Sequence, residues 1–433
     1  MSKLKSLDRK LAAIHADPNC REFILADAKD ADMALGLGAP GKSPELHAGE
    51  VRFKTLEQYR EQMRLITRQG LVDIMLMSAS TNYALTFAER LFDDSHVTPA
   101  VRANDTTDIH LARGAAYARH PAHPFRTMSI DHAQCGHLDC APGERSLGAN
   151  LGLYSVTFNN DFAHDLLTLE RFHTFREEAE RKGFRYFLEV FDPNVANGLA
   201  PEVLPRYLND MITRMLAGVA PAGRPVFLKI VYHGPKALEE LVRYDPHLIV
   251  GILGGSAGTT RDAFQLLHDA QKHGAKVALF GRKINNSENQ LAFVQFLRLI
   301  VEGVIGPADA VKAYHSVLQK LGIAPNRALE DDLKITEASM SYGGATGTIS
   351  VPKSIPTPTA HSACGCHIET PSPVTKEADC KCHDMQASTP VTVNRIKTES
   401  NGYPTQADGR PDFARMDVGQ RLAYHRKRLG LGL

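Results

Sequence analysis

The chain has 433 residues, 43% hydrophobic and 23% charged, with a formal net charge of +1. That is enough for one large domain and an appendage, and the balanced charge leaves no basic footprint for nucleic acid. No apolar run is long enough to span a bilayer, and the N-terminal MSKLKSLDRKLAAIHAD lacks the continuous apolar core of a secretory signal, so a cytoplasmic protein is expected.

Short apolar runs alternate with amphipathic stretches, the pattern of β-α units around a parallel sheet. Eight candidate strands follow in order: EFILADAKD (22–30), LVDIMLMSAS (71–80), a poorly defined third near VRANDTTDIHL (101–111), LGLYSVTFNN (151–160), FRYFLEVFDP (184–193), PVFLKIVYHG (225–234), HLIVGILGGS (247–256) and KVALFGRKI (276–284). Between the fourth and fifth, residues 161–183 place Leu166, Leu169, Phe172 and Phe175 on one helical face and stop at Gly183. Residues 259–274 repeat the device and stop at Gly274. Eight such units predict an α/β fold, a (β/α)8 TIM barrel over residues 1–340, with catalytic groups at the C-terminal ends of the strands. A doubly wound open sheet is the structural rival, because periodicity alone does not show closure.

Three charged residues stand out inside these apolar runs. Lys229 lies between Leu228 and Ile230 in the sixth strand, where an unpaired ammonium costs several kcal/mol. Toward the end of a barrel strand, burial or a cationic neighbour lowers the pKa of such a lysine and yields the free amine that forms Schiff bases. The alternative is a structural lysine paired with a carboxylate such as Glu189. Glu189 is as anomalous among its aromatic and aliphatic neighbours in YFLEVFDPN, and suits proton transfer if burial raises its pKa. Asp27 ends the first strand, either as a site acid or simply as an acidic strand end, with Lys29 as the competing amine nearby. The last two strands run into Gly254, Gly255 and Ser256 and into Gly281 and Arg282, turns that suit a phosphate group.

The ordered set ILADAKD, YFLEVFDPN, VFLKIVYHG, GGSAG and FGRKI resembles the class I, Schiff-base-forming aldolases of the deoxyribose-phosphate and tagatose-bisphosphate aldolase superfamily, over roughly residues 20–325. The resemblance implies Lys229 as the Schiff-base residue, Glu189 and Asp27 as acid-base residues, and Gly254, Gly255, Ser256, Gly281 and Arg282 as phosphate-binding residues. It implies a carbon–carbon lyase acting on a sugar phosphate in carbohydrate metabolism, with no cofactor required for catalysis. A homo-oligomer without nucleic-acid or membrane partners is expected. The fourth strand departs from the pattern, since it offers Tyr154, Thr157, Asn159 and Asn160 where related enzymes often carry a lysine or an acid.

Residues 81–150 are long for a β-α connection and rich in histidine. Cys135, His137 and Cys140 match no strong zinc spacing, so the segment is expected to form a lid or subunit contact near the barrel mouth. Residues 341–433 change to a Pro/Ser/Thr-rich linker with two C-x-C-H clusters, Cys364, Cys366, His367 and Cys380, Cys382, His383, and a basic terminal helix. The six cysteine and histidine side chains suit zinc or copper, although C-x-C is tighter than a zinc-finger knuckle. Two other readings therefore stay open: a sugar-phosphate-binding barrel without catalysis, and a metal or redox protein working through the Cys/His tail.

Overall fold

A computed structural model describes residues 4–47, 50–255 and 258–336, with 403–405, 411–412, 415–417, 419–420 and 424 of the C-terminal region. Both C-x-C-H clusters, the boundary near residue 340 and most of the expected terminal helix lie outside the described residues. The chain divides into two compact units, one of residues 1–44 and 51–348, the other of residues 45–50 and 349–433. In the second unit, Thr405 bridges Pro411 and the Tyr403 and Tyr424 rings meet edge to face.

The first unit contains a closed barrel of eight parallel strands. These are β1 (Ile24–Lys29), β2 (Ile74–Met77), β3 (Thr98–Arg102), β4 (Leu151–Thr157), β5 (Arg185–Phe191), β6 (Leu228–Ile230), β7 (Val250–Leu253) and β8 (Val277–Phe280). Closure through the β1–β8 pairing decides against the open sheet. Seven strands fall within the segments expected from the sequence. β3 begins earlier than expected, at Thr98, and the polar run that suggested a later strand instead pairs Asp105–Thr106 with Pro124–Phe125 in a short antiparallel hairpin. Every strand is buried on both faces, which is why each reads as a nearly continuous apolar run.

Two cores share these strands. One contains Ala26, Leu76, Ala100, Leu153, Phe187, Phe227, Ile249 and Leu279, one from each strand or the residue at its foot, and is the barrel interior. Leu7, Leu11 and Ile14 of helix α1 (Ser6–Ala16) join it and plug one end. Lys10 of α1 and Arg298 both bind the Asp73 carboxylate, at 2.8 and 2.9 Å, just before β2. Desolvation alone would raise that carboxyl, but the two cations hold it below the usual range. The other core takes the alternate residues, among them Leu25, Met75, Val101, Tyr154 and Phe280, against the surrounding helices.

Helix α2 (Phe162–Arg181) is capped by Asp161 and buries Phe172 and Phe175 as expected. Leu166, expected on the same face, is exposed. Helix α3 (Thr260–Lys272) carries the Thr259–Asp262 capping box. Gly183 and Gly274 adopt φ +61° and +103° just beyond the two helices, where a side chain would be strained.

Candidate active site

Side chains alternate across a strand, so residues with the parity of Phe187 and Phe227 point into the barrel. Glu189 and Lys229 have that parity, are paired in register, and lie toward the C-terminal ends of β5 and β6. Lys229 Nζ approaches Glu189 Oε1 to 2.5 Å, with the lysine 5% exposed and the glutamate fully buried. The second carboxylate oxygen accepts a hydrogen bond from Ser155 Oγ at 2.7 Å and faces an Arg102 amino group at 3.5 Å. Arg102 also donates to Ser155 Oγ at 3.0 Å and from Nε to Asp30 Oδ2 at 2.6 Å. Two cations and two carboxylates thus share one desolvated network, which offsets the cost of burying each.

Above this layer, Phe191, Val231 and Leu253 continue the inward faces of β5, β6 and β7 and pack with Ile109 from the long connection after β3. Further polar groups stand nearby on that connection. Asp105 Oδ1 lies 4.0 Å from Arg102 Nε, and burial pushes the Asp105 carboxyl up to about 6, partly offset by that cation. Thr157, inward on β4, donates to Asp108 at 2.8 Å, and burial raises Asp108 as well.

Asp27 occupies a different place from Lys229 and Glu189. Its register partners are Phe280 and Met75, both members of the outer core, so its side chain points toward the helical shell. There it pairs with Lys29, Nζ to Oδ2 at 3.6 Å, both fully buried. Lys29 donates to Gln290 at 2.8 Å and lies over the Tyr59 ring. Desolvation pushes the Asp27 carboxyl up and the Lys29 amine down. The expectation that Asp27 serves the reacting centre is therefore corrected: the acid that follows β1 into the Lys229 network is Asp30. Lys29→Met should lower stability by about 3–5 kcal/mol by stranding a buried carboxylate, and Asp27→Leu/Lys29→Met should recover most of that loss. Thermal melting of the three proteins checks this; an unchanged Tm in the single variant would show that the pair bears no weight.

The glycine turns have local packing reasons. A Cβ on Gly254 would come within 2.1 Å of the Phe280 ring, and one on Gly281 within 2.6 Å of the Ala28 carbonyl oxygen. Gly255 adopts φ +60°. Lys283 donates to the Gly258 carbonyl at 2.8 Å and so ties the loop after β8 to the loop after β7. Arg282 is half-buried beside Gly281, while Ser256 lies outside the described residues.

On the fourth strand, Tyr154 turns outward and stacks on Phe175, and Asn159 bonds to Asn194. Asn160 donates to the Asn197 carbonyl. Toward the C-terminal end of this strand the inward residues are Ser155 and Thr157, above Leu151 and Leu153 of the interior core. Arg102, Ser155 and Asp30 were missed in the sequence. Arg102 sat on the strand whose start was misplaced, and Ser155 is too ordinary a residue to attract notice without its partners.

No family model matches the chain, and no curated protein matches it. Among solved structures, an archaeal fructose 1,6-bisphosphate aldolase is 14% identical with a TM-score of 0.48, covering 68% of this chain and 99% of its own. A Schiff-base-forming fructose-1,6-bisphosphate aldolase is 16% identical with a TM-score of 0.48, covering 68% and 100%. Cgl0159 from Corynebacterium glutamicum is 16% identical with a TM-score of 0.46, covering 70% and 100%. The chain is similar to these proteins at low identity, and none of them fixes its activity.

Proposed function

We propose that the chain is a class I aldolase-like carbon–carbon lyase that cleaves or forms a phosphorylated ketose through a Schiff base on Lys229. The observation that carries this reading is the Lys229–Glu189 contact of 2.5 Å inside the barrel, with Ser155 and Arg102 holding the far oxygen of the carboxylate. In that desolvated pair, Glu189 is placed to take a proton from the ammonium and free the amine. The amine adds to the ketone carbon; the carbinolamine then loses its hydroxyl as water, with Glu189 returning the proton, to leave an iminium. The iminium accepts the electron pair when the adjacent carbon–carbon bond breaks, giving an enamine and an aldehyde. Asp105, whose carboxyl lies near 6, is the group suited to take the proton of the hydroxyl that becomes the aldehyde.

The phosphate belongs to the same proposal, at the loops after β7 and β8 that carry Gly254, Gly255, Ser256, Gly281 and Arg282. The deoxyribose-phosphate and tagatose-bisphosphate resemblance of the motifs supports a sugar phosphate as substrate. Borohydride trapping with ketose phosphates and dihydroxyacetone phosphate, followed by peptide mass spectrometry, tests the reading. A reduced adduct on Lys229 is expected; an adduct on another lysine, or none with any ketone of the panel, would remove it.

A further inference from the structure

The long connection after β3 has two ends in different places. Ile109 packs at the mouth of the barrel, whereas Gln134 donates to Asn150 at 2.8 Å and to the Lys182 carbonyl at 3.1 Å. Asn150 immediately precedes β4, and Lys182 ends helix α2 just before β5, so residues 130–150 lie at the N-terminal ends of the strands. This part of the segment therefore lies away from the barrel mouth, where the sequence placed a lid or subunit contact. In this connection the helix that a barrel unit normally supplies is reduced to the five residues Ile130–Gln134.

Directly after that helix the chain turns back on itself. Gly136 and Asp139 adopt φ +86° and +58°. The Asp139 N–H donates to Asp131 at 3.1 Å, and Asp131 is held by Lys182 at 2.6 Å. The turns bring the Cys135 thiol, a ring nitrogen of His137 and a Glu144 carboxylate oxygen to within 4.8 Å of one another. The Cys135 thiol donates to the His137 carbonyl at 3.3 Å, and the Cys140 thiol lies on the same turn as a neighbour of Cys135.

The surroundings orient these groups. His137 Nδ1 lies 2.8 Å from the Leu138 carbonyl, which can only accept, so Nδ1 carries the hydrogen. Nε2 lies 3.5 Å from Glu144 Oε1, and the other Glu144 oxygen accepts from the Ala141 N–H at 2.9 Å. A backbone carbonyl on one ring nitrogen and a backbone N–H on the far carboxylate oxygen are the supports that metal ligands normally receive.

We propose that the gathered Cys135, His137 and Glu144 bind a zinc ion, with the neighbouring Cys140 thiol turning in as the fourth ligand. Two thiolates, one imidazole and one carboxylate make a four-donor set of the softness that suits Zn2+ and not magnesium or calcium. With all four positions filled by protein the site is structural: it staples a loop that has lost most of its helix. Binding releases the two thiol protons to solvent and changes no oxidation state. This is independent of the chemistry at Lys229.

The test uses the full chain with Cys364, Cys366, Cys380 and Cys382 changed to serine, so that the tail clusters cannot contribute metal. This protein should carry about one zinc per chain by elemental analysis, and Cys135→Ser/Cys140→Ser in the same background should carry none above background. If the double variant fails to fold, alkylation of the tail variant decides instead. Cys135 and Cys140 should resist iodoacetamide until a chelator is added. Zinc absent from the tail variant, zinc unchanged by the double substitution, free alkylation without chelator, or a Cys135–Cys140 disulfide by mass would each overturn the proposal.

Discussion

Lys229→Met should abolish ketone-dependent turnover, with kcat/KM falling by at least about 10^3-fold, and should leave no borohydride adduct on the site peptide. The physical reason is that no other group in the interior network is an amine. Arg102 is bound to Asp30 and Ser155, and its guanidinium stays protonated. Lys29, the amine nearest in sequence to the end of β1, points into the helical shell and donates to Gln290. The fold should survive the change, because Glu189 keeps Ser155 and Arg102 as partners and methionine fills much of the lysine volume. Kinetics on a protein with a retained Tm check the expectation. Residual turnover within ten-fold of the parent would mean that the lysine serves only as an ion-pair partner and that the reaction does not pass through a Schiff base on it.

Glu189→Gln should lower kcat by about 10^2–10^4-fold, the usual range for a positioned proton donor and acceptor. The amide preserves shape and keeps an oxygen toward Ser155, but it cannot take the Lys229 proton. Trapping should therefore still modify Lys229, more slowly, because the nucleophile is present but the carbinolamine has lost the acid that helps its hydroxyl leave. Removing the carboxylate also strips a counter-charge from Lys229 and Arg102, so a stability loss of about 3–5 kcal/mol accompanies it. Two readouts separate these effects. Melting reports the loss of the ion pair, whereas single-turnover trapping on the folded fraction reports proton transfer. In a Lys229→Met background, Glu189→Gln should cost no further activity, because the two residues act as one unit. Wild-type trapping rates in Glu189→Gln would assign the glutamate a structural role only.

Asp27 and Asp30 show where the sequence is legible and where it stops being so. Both are acids at the end of the same apolar run, and composition ranks neither above the other. In a strand buried on both faces, inward and outward residues are equally apolar, so no polar alternation marks which parity enters the barrel. Only the placement of Ala26 and Ala28 in the interior core and of Leu25 in the outer one separates the two acids. Lys229 and Glu189 escaped the difficulty by both falling on the inward parity. Their anomaly was visible because a charge inside an apolar run needs a partner wherever it points. Arg102 had no such visibility, since Pro99 and the polar residues after Ala103 blurred the limits of its strand.

The sequence by itself determined seven of the eight strands, the apolar runs that bury them, and the two charged residues that most need each other. Those features are local, written in periodicity, turn residues and the cost of desolvating a charge. Tertiary structure alone decided closure of the sheet, the face each residue presents, the entry of Arg102, Ser155 and Asp30 into the Lys229 network, and the gathering of Cys135, His137 and Glu144. Each depends on register between strands or on a fold-back of the chain, which no single segment encodes.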